Sequence, residues 1–317
     1  MEMEHLEEAL KVVNANLSRI QWRLRAAARR RLEIDILALC TGLRPAVMVD
    51  YGGKMPELQQ NLCSLLRLSS QESSILQHLK VMTIEEMIYL IHDQGFTEYI
   101  SSSVALHQKL LFVDLEQDPP KMVSLTEDNL VVSQLVSIQK FFSLVFCADK
   151  LDEDLLSGVK PASAEKGKEI LDNSNQDVDE LSCSEPTASQ STEFIDLSNC
   201  MQDIQVTPPT LNGWLLGYPI VYLFGKDRVT DAVYNLSTKS LHIFQILVSR
   251  KQIHCKKPSQ EELMSFSVPY DLSLSGETEP WAADFLAHML AKFENCKQAW
   301  NYLRMEVSEC YPQSIAL

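Results

Sequence analysis

Glycine is scarce in this sequence, 10 in 317 residues, and none of it falls in a phosphate-cradling pattern. Gly-x-Gly-x-x-Gly is missing, which removes the dinucleotide fingerprint. Gly53-Lys54 lacks both the upstream glycine and the following Ser or Thr of a P-loop. Gly-x-Ser-x-Gly and His-Glu-x-x-His are absent too, so neither the nucleophile elbow nor the zincin helix has a local signature. The eight cysteines include no Cys-x-x-Cys, and no two of the seven histidines fall at ligand spacing on one helix face. No metal and no cofactor are therefore expected.

The opening MEMEHLEEAL has neither a basic n-region nor an apolar h-region, and no apolar run approaches the ~18 residues of a bilayer span. These absences predict a protein of the cytosol or nucleus with reduced thiols. Cations are also in deficit. Lys and Arg number 28 against 43 Asp and Glu, a net charge of −15 with a pI near 4.9. Phosphate backbones need clustered cations, so neither nucleic acid nor membrane is expected as a partner.

The acid that is present is concentrated. Residues 151–210 hold 13 Asp and Glu against 3 Lys, lose nearly all aromatics and show no periodicity. Such a stretch cannot bury enough apolar surface to offset its ordering entropy. The reading is a disordered acidic linker over 151–210, ending at Pro208 and Pro209. It interrupts one core whose parts are 1–150 and 211–317, and a protein partner could bind through it.

On either side the patterns are globular. Leu6, Leu10, Val13, Leu17, Ile20 and Leu24 recur at spacings of four and three, one face of a helix. Five arginines between Arg23 and Arg31 read as a solvated face near a helix C-terminus, where cations suit the dipole; a phosphate-binding or nuclear-import patch is the alternative. Ala46–Tyr51 and Lys109–Leu115 read as buried strands, with 122–125 as a hairpin partner of the second. Thr83 is placed to cap a helix over Glu85–Asp93, and Thr126 to cap one running to about Cys147. The apolar face of the latter is wide enough to predict cover on two sides. GWLLGYPIVYLFG, Leu241–Arg250 and Leu263–Val268 are dense in β-formers. Pro280 opens a last helix whose inner face takes in Trp281, Phe285, Met289, Cys296, Trp300 and Leu303. The fold class expected is α/β or α+β, a mixed sheet covered by helices.

Candidate chemistry is sparse. Asp50 closes one apolar strand before Gly52 and Gly53, and Asp114 and Glu116 close another. Ligands gather at the carboxyl ends of strands in α/β sheets, so these carboxylates could bind a metal or act as acid and base. Trp214, Gly217 and Tyr218 could line an aromatic pocket. In the linker, Phe194, Ile195, Asp196 and Leu197 beside acid and serine resemble a ubiquitin-like-modifier interaction motif, which binds by adding a strand to a sheet edge.

The blocks ILALCTGLRPAVMVDYGG and GWLLGYPIVYLFG resemble an uncharacterised vertebrate family, the chromosome one open reading frame seventy-four proteins. That resemblance implies one split domain with a long acidic expansion and supplies no catalytic residue. Function stays open at this point. An interaction or adaptor protein is the leading reading, and an enzyme using Asp50 and Asp114 the alternative.

Overall fold

In a computed structural model of the chain, residues 3–105, 110–123, 129–155, 193–251 and 259–315 are described. Helix α1 (Met3–Arg19) follows from the four-and-three spacing, with Leu6, Leu10, Val13 and Leu17 buried. It ends before Leu24, because Gln21 takes a left-handed φ of 57°. The arginine run does not close α1; it opens α2 (Ala26–Cys40), placing its cations at the end of the helix dipole that disfavours them. α2 finishes in a Schellman motif. Gly42 sits at φ 70°, the Leu43 N–H bonds to Ala38 O at 2.9 Å, and the Gly42 N–H bonds to Leu39 O at 3.1 Å.

Strand β1 (Ala46–Met48), helix α3 (Glu57–Glu72), strands β2 (Leu79–Ile84) and β3 (Met87–His92) and helix α4 (Asp93–Ala105) come next. Thr83 lies inside β2 and caps nothing. Glu85 turns the chain at φ 54°, and MIYLIH returns as β3, pairing Leu79 with His92 through Ile84 with Met87. A run of β-branched and aromatic residues buried on both faces favours a strand over the expected helix. β4 (Leu111–Asp114) and β5 (Lys121–Val123) form the expected hairpin. The cap expected at Thr126 lies outside the described residues. Asn129 Oδ1 accepts the Val132 N–H at 3.1 Å at the start of α5 (Leu130–Leu155).

Residues 156–192 lie outside the described residues. The structured chain reaches into the predicted linker from both ends. α5 runs to Leu155, Phe194–Asp196 forms β6, and α6 spans Pro208–Leu215. Then follow β7 (Ile220–Leu223), α7 (Val229–Ser237), β8 (Leu241–Arg250), β9 (Glu261–Pro269), α8 (Pro280–Cys296) and β10 (Trp300–Cys310). Trp300 and Leu303 therefore belong to β10, not to the last helix, which stops at Cys296.

The strands form three sheets: β1-β3-β2-β6, β5-β4-β7 and the antiparallel β10-β8-β9. The first two are mixed, as the α/β or α+β reading requires. Their parallel pairs, β2 with β6 and β4 with β7, each join strands from opposite sides of residues 156–192. The first sheet divides the interior. Val81, Ile88 and Leu90 face a cluster closed by α1, α2, α3 and the third sheet. Met82, Ile84, Tyr89 and Ile91 face a second cluster closed by α4, α5 and α6.

Candidate functional site

Asp114 and Glu116 are held by turns in the fold, and Asp50 is exposed. Asp114 Oδ1 accepts the Glu116 N–H at 2.9 Å and its Oδ2 accepts Gln117 Nε2 at 2.6 Å, the geometry of an Asx-type turn. Glu116 Oε1 accepts the Gly225 N–H at 2.9 Å, tying the end of β4 to the loop after β7. Asp50 is exposed after β1, in a different sheet. Among the described residues no hydrogen bond or ion pair joins it to Asp114 or Glu116, and no three His, Cys, Asp or Glu cluster as metal ligands.

Gly52 packs against the α1–α2 connection, and Gly53 lies against Leu58 at the start of α3. Gly52 has φ 86°, its carbonyl accepts Trp22 Nε1 at 2.8 Å, and a Cβ there would meet Leu24 Cδ2 at 2.7 Å and Trp22 Cζ2 at 2.9 Å. Gly52→Ala is expected to cost about 2–3 kcal/mol, from the left-handed backbone and the clash together. Urea unfolding measures it, and a loss below about 0.5 kcal/mol would contradict this packing.

The cluster around Trp214 is core. GWLLGYPIVYLFG begins as α6 rather than a strand, because Pro208 opens the helix and Leu211, Trp214 and Leu215 share its buried face. Trp214 is fully buried, edge-on to Phe142 at 5.3 Å, with its indole N–H on Ser103 Oγ at 3.2 Å. The Tyr99 hydroxyl donates to the Trp214 carbonyl. Gly217, at φ 72°, turns the chain into β7, and half-buried Tyr218 rests on the Phe266 ring at 5.7 Å.

The motif at Phe194–Leu197 adds a strand to a sheet edge, but to this chain's own sheet. Phe194, Ile195 and Asp196 pair in parallel with Val81, Met82 and Thr83. Leu197 is buried, and Asp196 Oδ1 accepts both the backbone N–H and the hydroxyl of Ser198.

A buried polar node escaped the sequence reading. Asp35, fully buried on α2, lies 3.1 Å from Arg31 Nε and accepts the Tyr51 hydroxyl at 2.7 Å. Burial raises its pKa, opposed by the Arg31 charge and the Tyr51 hydrogen bond. Arg31 Nη1 donates to Glu262 O at 2.7 Å; buried Arg44 donates to Leu263 O at 3.0 Å and Leu216 O at 3.5 Å. Arg31 fastens β9 onto α2, and Arg44 fastens β9 and the turn after α6 onto the α2–β1 connection. An acid at a core position, inside LEIDILALC, was its one visible signal.

The outer face of α5 carries a stripe of exposed apolar side chains. Its inner face buries Val131, Val132, Leu135, Ile138 and Phe142. Leu130, Phe141, Leu144 and Val145 are 59%, 38%, 64% and 39% exposed, so among the described residues the expected two-sided cover is one-sided. Ser133 and Ser137, between them on that stripe, return their hydroxyls to Leu130 O and Ser133 O at 2.9 and 3.0 Å. Their polar atoms are already partnered, so covering the stripe leaves no hydroxyl unsatisfied. Leu130–Cys147 is also long and apolar enough to cross a membrane by length and composition, which corrects the expectation that no run approaches a bilayer span.

Comparison with known proteins gives a family and nothing further. No curated protein and no solved structure matches the chain. The family described as a domain of unknown function matches residues 14–317, spanning both parts of the fold and the segment between them. The chain therefore belongs to that family, DUF4504.

Proposed function

We propose that this chain is an interaction protein that takes a protein partner on the outer face of α5. The observation carrying this reading is the exposed stripe of Leu130, Phe141, Leu144 and Val145 with self-satisfied serines between. Covering the four side chains contributes roughly 4 kcal/mol, about the lower end of the cost of association. The stripe is thus the anchor of a larger interface rather than the whole of it. A protein fits it better than a lipid surface, because Lys140 is the one charge in Leu130–Cys147 and the chain is strongly acidic overall.

The same proposal retains an intracellular compartment, suited by the free thiols of Cys40, Cys63, Cys147, Cys200, Cys296 and Cys310. It retains the narrower resemblance to the chromosome one open reading frame seventy-four proteins, which rests on the two sequence blocks. A second contact through the acidic residues of 156–192 remains part of it. The enzyme alternative draws no support from Asp114 and Glu116, whose carboxylates already accept bonds from nearby turns.

The test compares the chain with the double variant Phe141→Glu, Leu144→Glu. Both positions are solvent-facing, so the melting temperature should move by less than about 3 °C. Cellular proteins retained by the parent should be lost by the variant. Equal retention by both would remove α5 as the interface. Sedimentation of the parent, but not the variant, with neutral lipid vesicles would replace the protein partner by a membrane.

A further inference from the structure

We infer that a second site, the arginine-lined cleft between α2 and the third sheet, binds a small phosphate-bearing anion. The cleft has a volume of about 210 Å³ and is walled by Arg29, Arg30 and Glu33 of α2, Arg250 of β8, and Ser259 and Glu261 at the start of β9. Three guanidinium groups from elements some 220 residues apart in sequence meet there against two carboxylates. This local cationic excess stands in a chain of net charge −15.

Those carboxylates do not use up the arginines. Arg250 Nη1 is 3.4 Å from Glu33 Oε2, Arg29 Nε is 3.9 Å from Glu33 Oε1, and Arg30 Nε is 3.8 Å from Glu261 Oε1. None reaches the ~2.7–2.9 Å of a charge-assisted hydrogen bond, and none is a bidentate fork. Glu33 Oε1 also accepts Asn14 Nδ2 at 2.8 Å, and Arg29 Nε donates to Asn14 Oδ1 at 2.5 Å, which positions both side chains. Each guanidinium carries five donors, so most remain available. The Arg250 side chain is only 15% exposed, where the lower local dielectric strengthens its pull on an anion.

Shape and charge select the ligand class. Glu33 and Glu261 leave the cleft a single excess positive charge, so the number and arrangement of oxygens decides. A carboxylate presents two oxygens in one plane, whereas a phosphate presents more in a tetrahedral array that planar donor forks from separate elements can share. The volume falls below the ~300–1,000 Å³ of pockets that enclose a drug-sized molecule, so the cleft takes the phosphate group and leaves the rest of any larger ligand outside.

The test is titration of the full chain with inorganic pyrophosphate, a nucleoside diphosphate and a soluble inositol phosphate, by calorimetry at low salt. Saturable binding of at least one is expected, weakening as salt is raised. Arg30→Ala and Arg250→Ala should each weaken it by about tenfold or more. Arg228→Ala, on the remote surface before α7, should bind as the parent does. Arg30 is 63% exposed, so its variant tests binding without threatening the fold. Preference for pyrophosphate marks a free anion, and preference for either organic phosphate marks that source. Lack of saturable binding of all three, or binding unchanged in both cleft variants, would overturn the inference.

Discussion

Asp35→Ala is expected to lower the unfolding free energy by about 2–4 kcal/mol, because it removes a buried acceptor shared by two side chains and opens a small cavity in the core. Arg31 would keep its charge beside α2 with its carboxylate gone, and the Tyr51 hydroxyl would lose its acceptor. Tyr51→Phe removes one hydrogen bond and should cost about 1–2 kcal/mol. For a chain of this size the first change corresponds to a fall in melting temperature of roughly 3–6 °C. Urea unfolding of both variants measures the two costs, and an Asp35→Ala loss under about 1 kcal/mol would refute the node.

The sign of its pH dependence is a further mark of the same residue. Burial raises the folded-state pKa of Asp35, so the native protein takes up this proton before the unfolded chain does. Its own contribution therefore makes the protein more stable as pH falls from the raised value towards the ordinary carboxylate value, and is constant above the raised value. Asp35→Asn deletes that contribution. The stability difference between parent and Asn variant should change between the ordinary carboxylate value and the raised one and stay level above the raised one.

The second large effect concerns chain continuity. Fragments 1–155 and 193–317 should each fail to fold alone and should assemble into a native-like complex when refolded together. The first would expose the edges of β2 and β4 that β6 and β7 cover, and would leave Phe142 without Trp214. The second would lack α2, to whose Arg31 the carbonyls of Glu262 and Leu263 are bound. Conversely, replacing the roughly 37 residues of 156–192 by about ten Gly and Ser changes the loop-closure term by only ~1.2 kcal/mol, in favour of folding. That variant should melt within a few degrees of the parent. Circular dichroism and gel filtration read both experiments. Two fragments that fold independently, or a deletion that does not fold, would refute a single core.

Much of the local structure was legible because it is set by neighbours in sequence. The four-and-three spacing of Leu6 to Leu17, the apolar run before Asp114 and the proline before Trp281 each marked its element. Glu85–His92 was misread because a short apolar run serves a buried strand as well as a helix, and the partner that decides, β2, pairs across a tight turn. β10 was missed although Leu303, Met305 and Val307 alternate with Arg304 and Glu306, because the helical spacing of Trp300 and Leu303 from α8 competed with that period of two. Of the candidate surface, the breadth of the α5 apolar face was legible, but not the side left bare.

What the sequence alone determined is the kind of element most segments form, the acidic excess around the central segment, and the want of any familiar catalytic motif. Those depend on residues within a few positions of one another. The tertiary structure decided the rest: that β4 pairs with β7, that Phe194–Asp196 extends this chain's own sheet, that Asp35 is buried against Arg31, and that Arg250 joins Arg29 and Arg30 in one cleft. Each is a contact between residues distant in the chain, set by the competition of many apolar surfaces for the same interior, and no local pattern encodes its outcome.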